Sequence, residues 1–217
     1  MPKPKEGKND QLAKRVCELL LTELEAGYVY AGSPEFSLTK KTPFGHQGLA
    51  VELNGANAPE RLLQFDLGVW HETYESTRLK LGLGPTPKGV FHFSQNTLNA
   101  AYNWKKLKKF DSEGTWIVDL NEDPKDVLGE ATPFVLAAVK EICGTSKDLR
   151  KVRDLLERDS GHFLTFSAGE QVVLIDATLG DWKHLRAFLK DEESTLAGDV
   201  DEKLTRKIEK EFGVKVS

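Results

Sequence analysis

The sequence predicts an α+β fold, in which an antiparallel meander sheet is covered by an N-terminal helix and followed by a helical C-terminal third. Three observations indicate this fold. Apolar residues recur at helical spacing from about residue 9, short β-rich runs separated by turn residues follow, and helical periodicity dominates from about residue 121. With 217 residues, of which 39% are hydrophobic and 29% charged, the chain is long enough to bury a substantial core.

The first helix is predicted from the spacing of Leu12, Val16 and Leu20, with Gly27 as its stop signal. Before it, residues 1–8 are rich in proline and lysine and are expected to form a mobile tail.

Four strands are predicted next, in "YVYA", "FSLTK", "LAVEL" and "LLQFDLGVWH". The segments between them, "GSPE", "TPFGHQG" and "NGANAPE", have the composition of turns. "VFHF" and "TWIVDL" are expected to add two more strands. Strands that follow one another through short turns form a meander, and the apolar stripe of the first helix can cover one face of it.

The C-terminal third begins with "NEDPKD", in which an Asp-Pro pair suits a helix start, and the following helix should kink or break at Pro133. Ser146 is the candidate cap of the next helix. Residues 162–176 are compatible with a hairpin or with helices, and "ATLGDWKHLRAFL", which resembles a turn between antiparallel helices, favours helices. We therefore expect an α+β domain over 9–145 and a mainly helical extension over 146–217 that packs on it.

The segment "HETYE" resembles the zinc-protease motif H-E-x-x-H, with Glu75 in place of the second histidine. That motif needs a helix that carries both ligands, because only the i, i+4 spacing brings them to one metal. The alternation of Phe65, Leu67 and Val69 with polar or small residues instead predicts a strand that ends near His71. A break at His71 followed by a helix over 72–80 would leave the first ligand at a frayed helix start. We expect neither metal nor cofactor.

An enzymatic alternative stays open, in which His71 and His92 lie on neighbouring strands and line a polar pocket with Glu72 or Glu75. This would be a hydrolase or a nuclease-like enzyme. The sequence contains no Walker loop, no G-x-G-x-x-G and no G-x-S-x-G motif. The two cysteines, Cys17 and Cys143, are expected to be buried and inert.

The net charge of −4 argues against broad binding to nucleic acid. One basic segment, "WKKLKKF", is a local exception, and the residues that would contact a nucleic acid there are Trp104, Lys105, Lys106, Lys108 and Lys109. An acidic segment near the C-terminus is expected to be solvated and available to a basic partner. The residues proposed for partner binding are Trp70, Asp191, Glu192, Glu193, Asp199 and Asp201.

The order of elements resembles a group of small bacterial α+β domains of unknown function that are associated with toxin-immunity loci. The resemblance covers about residues 10–145 and rests on Phe65, Leu67, Gly68, Val69, Trp116, Pro133 and Phe134. It implies a protein-binding role, such as neutralising a basic toxin in a bacterial conflict system, and it supplies no catalytic residues. We expect a non-catalytic protein-binding module in the cytoplasm, with no membrane association. The sequence does not indicate an oligomeric state.

Overall fold

The structure is a computed structural model that describes residues 7–31, 36–55, 59–87, 90–98, 100–101, 114–160, 163 and 167–216. Its first part contains helix α1 (Lys8–Glu23) and strands β1 (Tyr28–Tyr30), β2 (Ser37–Thr42), β3 (Gly45–Asn54) and β4 (Glu60–His71). Helix α2 (Glu72–Lys80) and strands β5 (Phe93–Asn96) and β6 (Trp116–Asp119) follow. The C-terminal helices are α3 (Lys125–Ser146), α4 (Leu149–Arg158), α5 (Ala168–Leu179), α6 (Trp182–Leu189), α7 (Thr195–Gly198) and α8 (Glu202–Phe212).

The predicted α+β class is confirmed. The described strands form one sheet in the order β1-β2-β3-β4-β5, and β6 pairs with β4. The pairings of β1 with β2, β2 with β3 and β4 with β6 are antiparallel. Helix α1 packs on β1, β2 and β3 through its apolar stripe, which places Leu12, Val16 and Leu20 in the core. The N-terminal helix therefore covers the meander, as its periodicity predicts.

Strand β4 has the alternation that the sequence predicts. Phe65, Leu67 and Val69 are all fully buried, because every second side chain of a strand points to the same face. The strand ends at His71, and α2 begins at the next residue. Both the predicted strand and the break considered at His71 are therefore present.

The chain divides into two compact units, each with its own apolar core. The first unit comprises 1–69 and 94–144 and contains α1 and most of the sheet. The second comprises 70–93 and 145–217 and contains α2 and helices α4 to α8. One boundary falls close to the predicted division at residue 145, whereas the segment 70–93 groups with the C-terminal helices rather than with the sheet.

Several local predictions need correction. "GHQG" belongs to β3 and not to a turn. "VFHF" is not a strand, because β5 begins only at Phe93. The backbone N–H of His71, at the end of β4, donates to Nδ1 of the His92 ring at 2.9 Å rather than to a backbone carbonyl. Ser146 does not cap a helix, since α3 extends through it and Asp148 caps α4. Lys8, assigned to the tail, is the first residue of α1.

The C-terminal third is helical. The "QVVLI" run lies inside α5, so the helical alternative is confirmed for it, and Gly180 ends that helix in the left-handed conformation that glycine favours. Asp181 then caps α6, with its carboxylate accepting from the N–H of His184. Pro133 lies within α3, which continues through it, so the break that the sequence analysis allowed at this residue is not present.

Some predictions fall outside the described residues. These are the proposed nucleic-acid contacts Trp104, Lys105, Lys106, Lys108 and Lys109, residues 1–6 of the tail, and most of "HFLTF". No helix among the described residues is both long and apolar enough to cross a membrane.

Candidate functional site

The residues around "HETYE" form a compact polar cluster in the second unit. His71 is the last residue of β4, Glu75 lies in the first turn of α2, and His92 immediately precedes β5. All three are buried. The alternative that placed His71 and His92 near each other with Glu72 or Glu75 holds for Glu75, although only one of the two histidines lies on a strand.

The imidazole of His92 has a partner at each nitrogen. Its Nδ1 accepts a hydrogen bond from the backbone N–H of His71 at 2.9 Å. Its Nε2 lies 2.9 Å from Oε2 of Glu75 and 3.0 Å from the hydroxyl of Thr86. The ring stacks on Trp70, with centroids 5.4 Å apart, and contacts Tyr74 at 4.9 Å. The ring is thus fixed both at its edges and on its faces.

The carboxylate of Glu75 accepts hydrogen bonds from the loop that follows α2. The backbone N–H of Thr86 donates to Oε1 at 2.8 Å, and the Thr86 hydroxyl donates to Oε2 at 2.7 Å. Arg78, one turn further along α2, lies 3.5 Å from Oε2. Burial opposes ionisation of this carboxyl, but the hydrogen bonds from Thr86 and His92 hold the pKa of Glu75 below its usual value. Glu75 therefore joins α2 to the loop as a carboxylate.

The hydrogen bonds also define the tautomer of His92. Since Nδ1 accepts from a backbone N–H, the ring proton is on Nε2, which donates to Glu75. Burial lowers the pKa of His92 to about 4, so the ring is neutral at pH 7. A general base needs a lone pair directed at its substrate, and both nitrogens of this ring already face protein atoms. The arrangement stabilises the fold and offers no ring nitrogen to a substrate.

The remaining residues proposed around this cluster have other surroundings. Glu72 is exposed at the start of α2, and Trp70 is half-buried against the His92 ring. Burial lowers the pKa of His71.

Within the described ranges, no three His, Cys, Asp or Glu side chains are grouped so that they could hold a metal ion. Cys17 and Cys143 are buried, as expected, and burial raises the pKa of both thiols to about 12.

Replacing Glu75 with alanine is expected to lower the free energy of unfolding by about 3 kcal/mol. The donors of Thr86 and His92 would lose a charged acceptor, and hydrogen bonds to charged groups contribute about 1.5–3 kcal/mol each. Glu72→Ala is the matched control, because Glu72 lies in the same helical turn and is exposed; its expected cost is below about 1 kcal/mol. Chemical denaturation measures both, and equal costs would show that the Glu75 network adds no stability.

A second polar network, which the sequence analysis missed, joins α4, α5 and α6. Asp176 is completely buried, and its carboxylate accepts from Nη1 of Arg153 and from Nδ1 of His184, each at 2.7 Å. Arg153 also donates to Asp181 at 3.0 Å. Burial raises the pKa of Asp176, and the hydrogen bonds from His184 and Arg153 act in the opposite direction. The sequence signal was a single aspartate in the apolar run "VVLIDATL", because an aspartate is almost never fully buried without a partner.

A pair of carboxyl groups lies in the first unit, on the strands β3 and β4. Asp66 and Glu52 share a side-chain hydrogen bond, and burial together with the neighbouring charge of Glu52 raises the pKa of Asp66 to about 7. Next to this pair, Asn54 donates to Gln64 at 3.4 Å. The alternation of β4 predicts that Asp66 points away from the core, but no local pattern indicates that Glu52 lies beside it.

The stability of the protein is expected to depend on pH through Asp66. Its pKa rises on folding, so the stabilising protonated form is complete below about pH 4 and is lost as the pH rises to about 7. Between pH 5 and pH 8 this group should remove about 2–3 kcal/mol from the free energy of unfolding. Asp66→Asn should abolish that component in denaturation curves recorded across this range. Parallel pH profiles for the two proteins would contradict the assignment.

The acidic residues proposed for partner binding lie along the surface between α6 and α8. We call them the acidic surface, and they are Asp191, Glu192, Glu193, Asp199 and Asp201, all of them exposed. No ion pair joins them to a described lysine or arginine. Two of the five are fixed by backbone donors: Asp191 accepts from the N–H of Glu193 at 3.1 Å, and Asp201 caps α8 by accepting from Lys203 at 2.8 Å.

The acidic surface is attached to the core of its unit by close packing. Gly169 in α5 has no side chain, and a Cβ there would collide with the backbone carbonyl of Leu196 in α7. Ser194 caps α7 by accepting from the N–H of Ala197 at 3.3 Å. The acidic segment predicted to be solvated therefore contains a short helix, and its carboxylates project from a defined backbone.

Comparison with known proteins gives no relative: no family model, no curated protein and no solved structure matches the chain. The resemblance to toxin-immunity domains stays a prediction.

Proposed function

We propose that the chain is a non-catalytic protein-binding module, and that the acidic surface is its binding site for a basic partner. The observation that carries the proposal is that five exposed carboxylates lie within residues 191–201 with no ion pair to a described basic residue. Unpaired exposed charge of one sign steers an oppositely charged partner and shapes its orientation on contact. An acidic surface of this kind suits a partner whose own function requires basic groups.

The fixed positions of two of the five carboxylates support specific binding over diffuse attraction. Asp191 and Asp201 are held by backbone donors, and Gly169 lets α7 pack closely on α5. Charges that are already ordered lose less conformational entropy when a partner binds. A nucleic-acid-cleaving toxin is a partner of the right chemistry, because it needs basic groups to hold its substrate, and an acidic protein can cover them. We place this activity in the cytoplasm, as the sequence predicts.

The geometry of the His92 cluster favours this role over the hydrolase or nuclease-like alternative. Both ring nitrogens of His92 and both oxygens of Glu75 are engaged by protein atoms. The side chain of His92 is only 2% exposed and that of Glu75 only 7%. A substrate would have to displace these contacts before either group could transfer a proton.

Affinity capture from the native host tests the proposal. The bait is compared with the charge-reversed variant Asp191→Lys/Glu192→Lys/Glu193→Lys and with a control, Glu122→Lys/Asp126→Lys/Glu130→Lys, whose three sites are also exposed. We expect a basic protein that the wild type and the control capture and the first variant does not. Identical captures by both variants, or an acidic partner, would contradict the proposal.

A further inference from the structure

A cavity of about 320 Å³ lies beside α6 in the second unit. The cavity is lined by the apolar residues Ala187, Phe188 and Leu196 and by the polar residues Glu157, His184, Asp191 and Ser194. Its volume corresponds to about ten water molecules, which is sufficient for a long side chain. Asp191 belongs to both this cavity and the acidic surface.

His184 lines the cavity with its ring held in a fixed orientation. Its Nδ1 lies 2.7 Å from the fully buried carboxylate of Asp176, and its Nε2 lies 3.2 Å from Oε1 of Glu157. The carboxylate at Nδ1 fixes the orientation of the ring and directs Nε2 towards Glu157. The side chains of His184 and Glu157 are 29% and 30% exposed, so solvent reaches both.

Two carboxyl groups, Glu157 and Asp191, line the cavity. The guanidinium of Arg153 in α4 is already engaged by Asp176 at 2.7 Å and by Asp181 at 3.0 Å. Neither Glu157 nor Asp191 has an ion pair with a described lysine or arginine. Burial raises the pKa of Glu157, and an added cation beside it would favour the ionised form.

We infer that this cavity binds the side chain of an arginine from the partner, an inference that rests on the proposed function and names the chemistry of its contact. The alkyl part of the side chain would lie against Phe188 and Leu196. The guanidinium would donate to Glu157 and Asp191. Arginine fits better than lysine because its planar group directs several donors at separate acceptors. Buried arginines often dominate the binding energy of interfaces.

A titration with N-butylguanidinium tests the cavity without the partner. Nitrogen-15 NMR spectra follow the ring of His184 and the amides of 187–196, and N-butylurea serves as the neutral control. We expect saturable shifts with N-butylguanidinium only, and an approximately ten-fold weaker affinity in Glu157→Gln, since a hydrogen bond to a charged group is removed. The matched variant Glu122→Gln should bind N-butylguanidinium as the wild type does. Absent shifts, equal shifts with N-butylurea, or unchanged affinity in Glu157→Gln would overturn the inference.

The affinity of two variants for the captured partner distinguishes this inference from the proposed function. Glu157→Gln leaves the five residues of the acidic surface intact. Any change in affinity for the captured partner in this variant is therefore due to the cavity alone. A ten-fold loss of affinity in this variant supports an arginine in the cavity. If the variant binds the partner normally while Asp191→Lys/Glu192→Lys/Glu193→Lys does not, the cavity inference fails and the proposed function stands.

Discussion

Replacing Leu67 with aspartate is expected to lower the free energy of unfolding by about 4 kcal/mol or more, or to prevent folding. Leu67 is fully buried in the core of the first unit, and an unpaired charge there has neither water nor a hydrogen-bonding partner. Asp66→Ala is the matched control, because the adjacent side chain points to the other face of β4 and should cost little. If thermal denaturation gave the two variants similar midpoints, the burial assigned to this strand would be wrong.

Replacing Arg153 with methionine is expected to lower the free energy of unfolding by about 3–5 kcal/mol. The change would remove a cationic partner from the fully buried Asp176, and a buried charge without its partner is strongly destabilising. The double variant Arg153→Met/Asp176→Leu should recover much of the loss, because both charges are then absent. Denaturant titration measures both effects.

The control for this network is Arg150→Met, which lies in the same helix but is exposed. Its expected effect is within about 0.5 kcal/mol. A comparable loss of unfolding free energy in Arg150→Met would contradict this account, as would a double variant less stable than Arg153→Met. Either result would show that Arg153 does not stabilise the protein by compensating the charge of Asp176.

The periodic parts of the fold could be predicted from the sequence. The alternation of Phe65, Leu67 and Val69 specified β4 and its buried face, and helical spacing specified α1. These patterns are local, since each depends on which face of a single element contacts the core. The change from strand to helix at His71 was considered but not predicted, because the residues before Glu72 indicate only a strand.

The polar contacts were less accessible to prediction. His71 and His92 are 21 residues apart, and their proximity followed from pairing two apolar runs, but the role of Thr86 did not. The partners of Asp176 come from two other helices, so no local spacing identifies them. "VFHF" has the composition of a strand, yet the ring of His92 takes the N–H that a backbone carbonyl would otherwise accept. When a side chain replaces a backbone carbonyl as the hydrogen-bond acceptor, the periodicity of the sequence does not reveal it.

The association rate constant for the captured partner, measured as a function of ionic strength, tests the central claim most directly. Exposed charges steer association strongly at low salt and are screened as salt is added. We expect the wild-type rate constant to fall about ten-fold or more between 20 and 500 mM salt, and Asp191→Lys/Glu192→Lys/Glu193→Lys to associate more slowly with a much weaker salt dependence. Equal rate constants and equal salt dependence for the two proteins would contradict a binding role for the acidic surface.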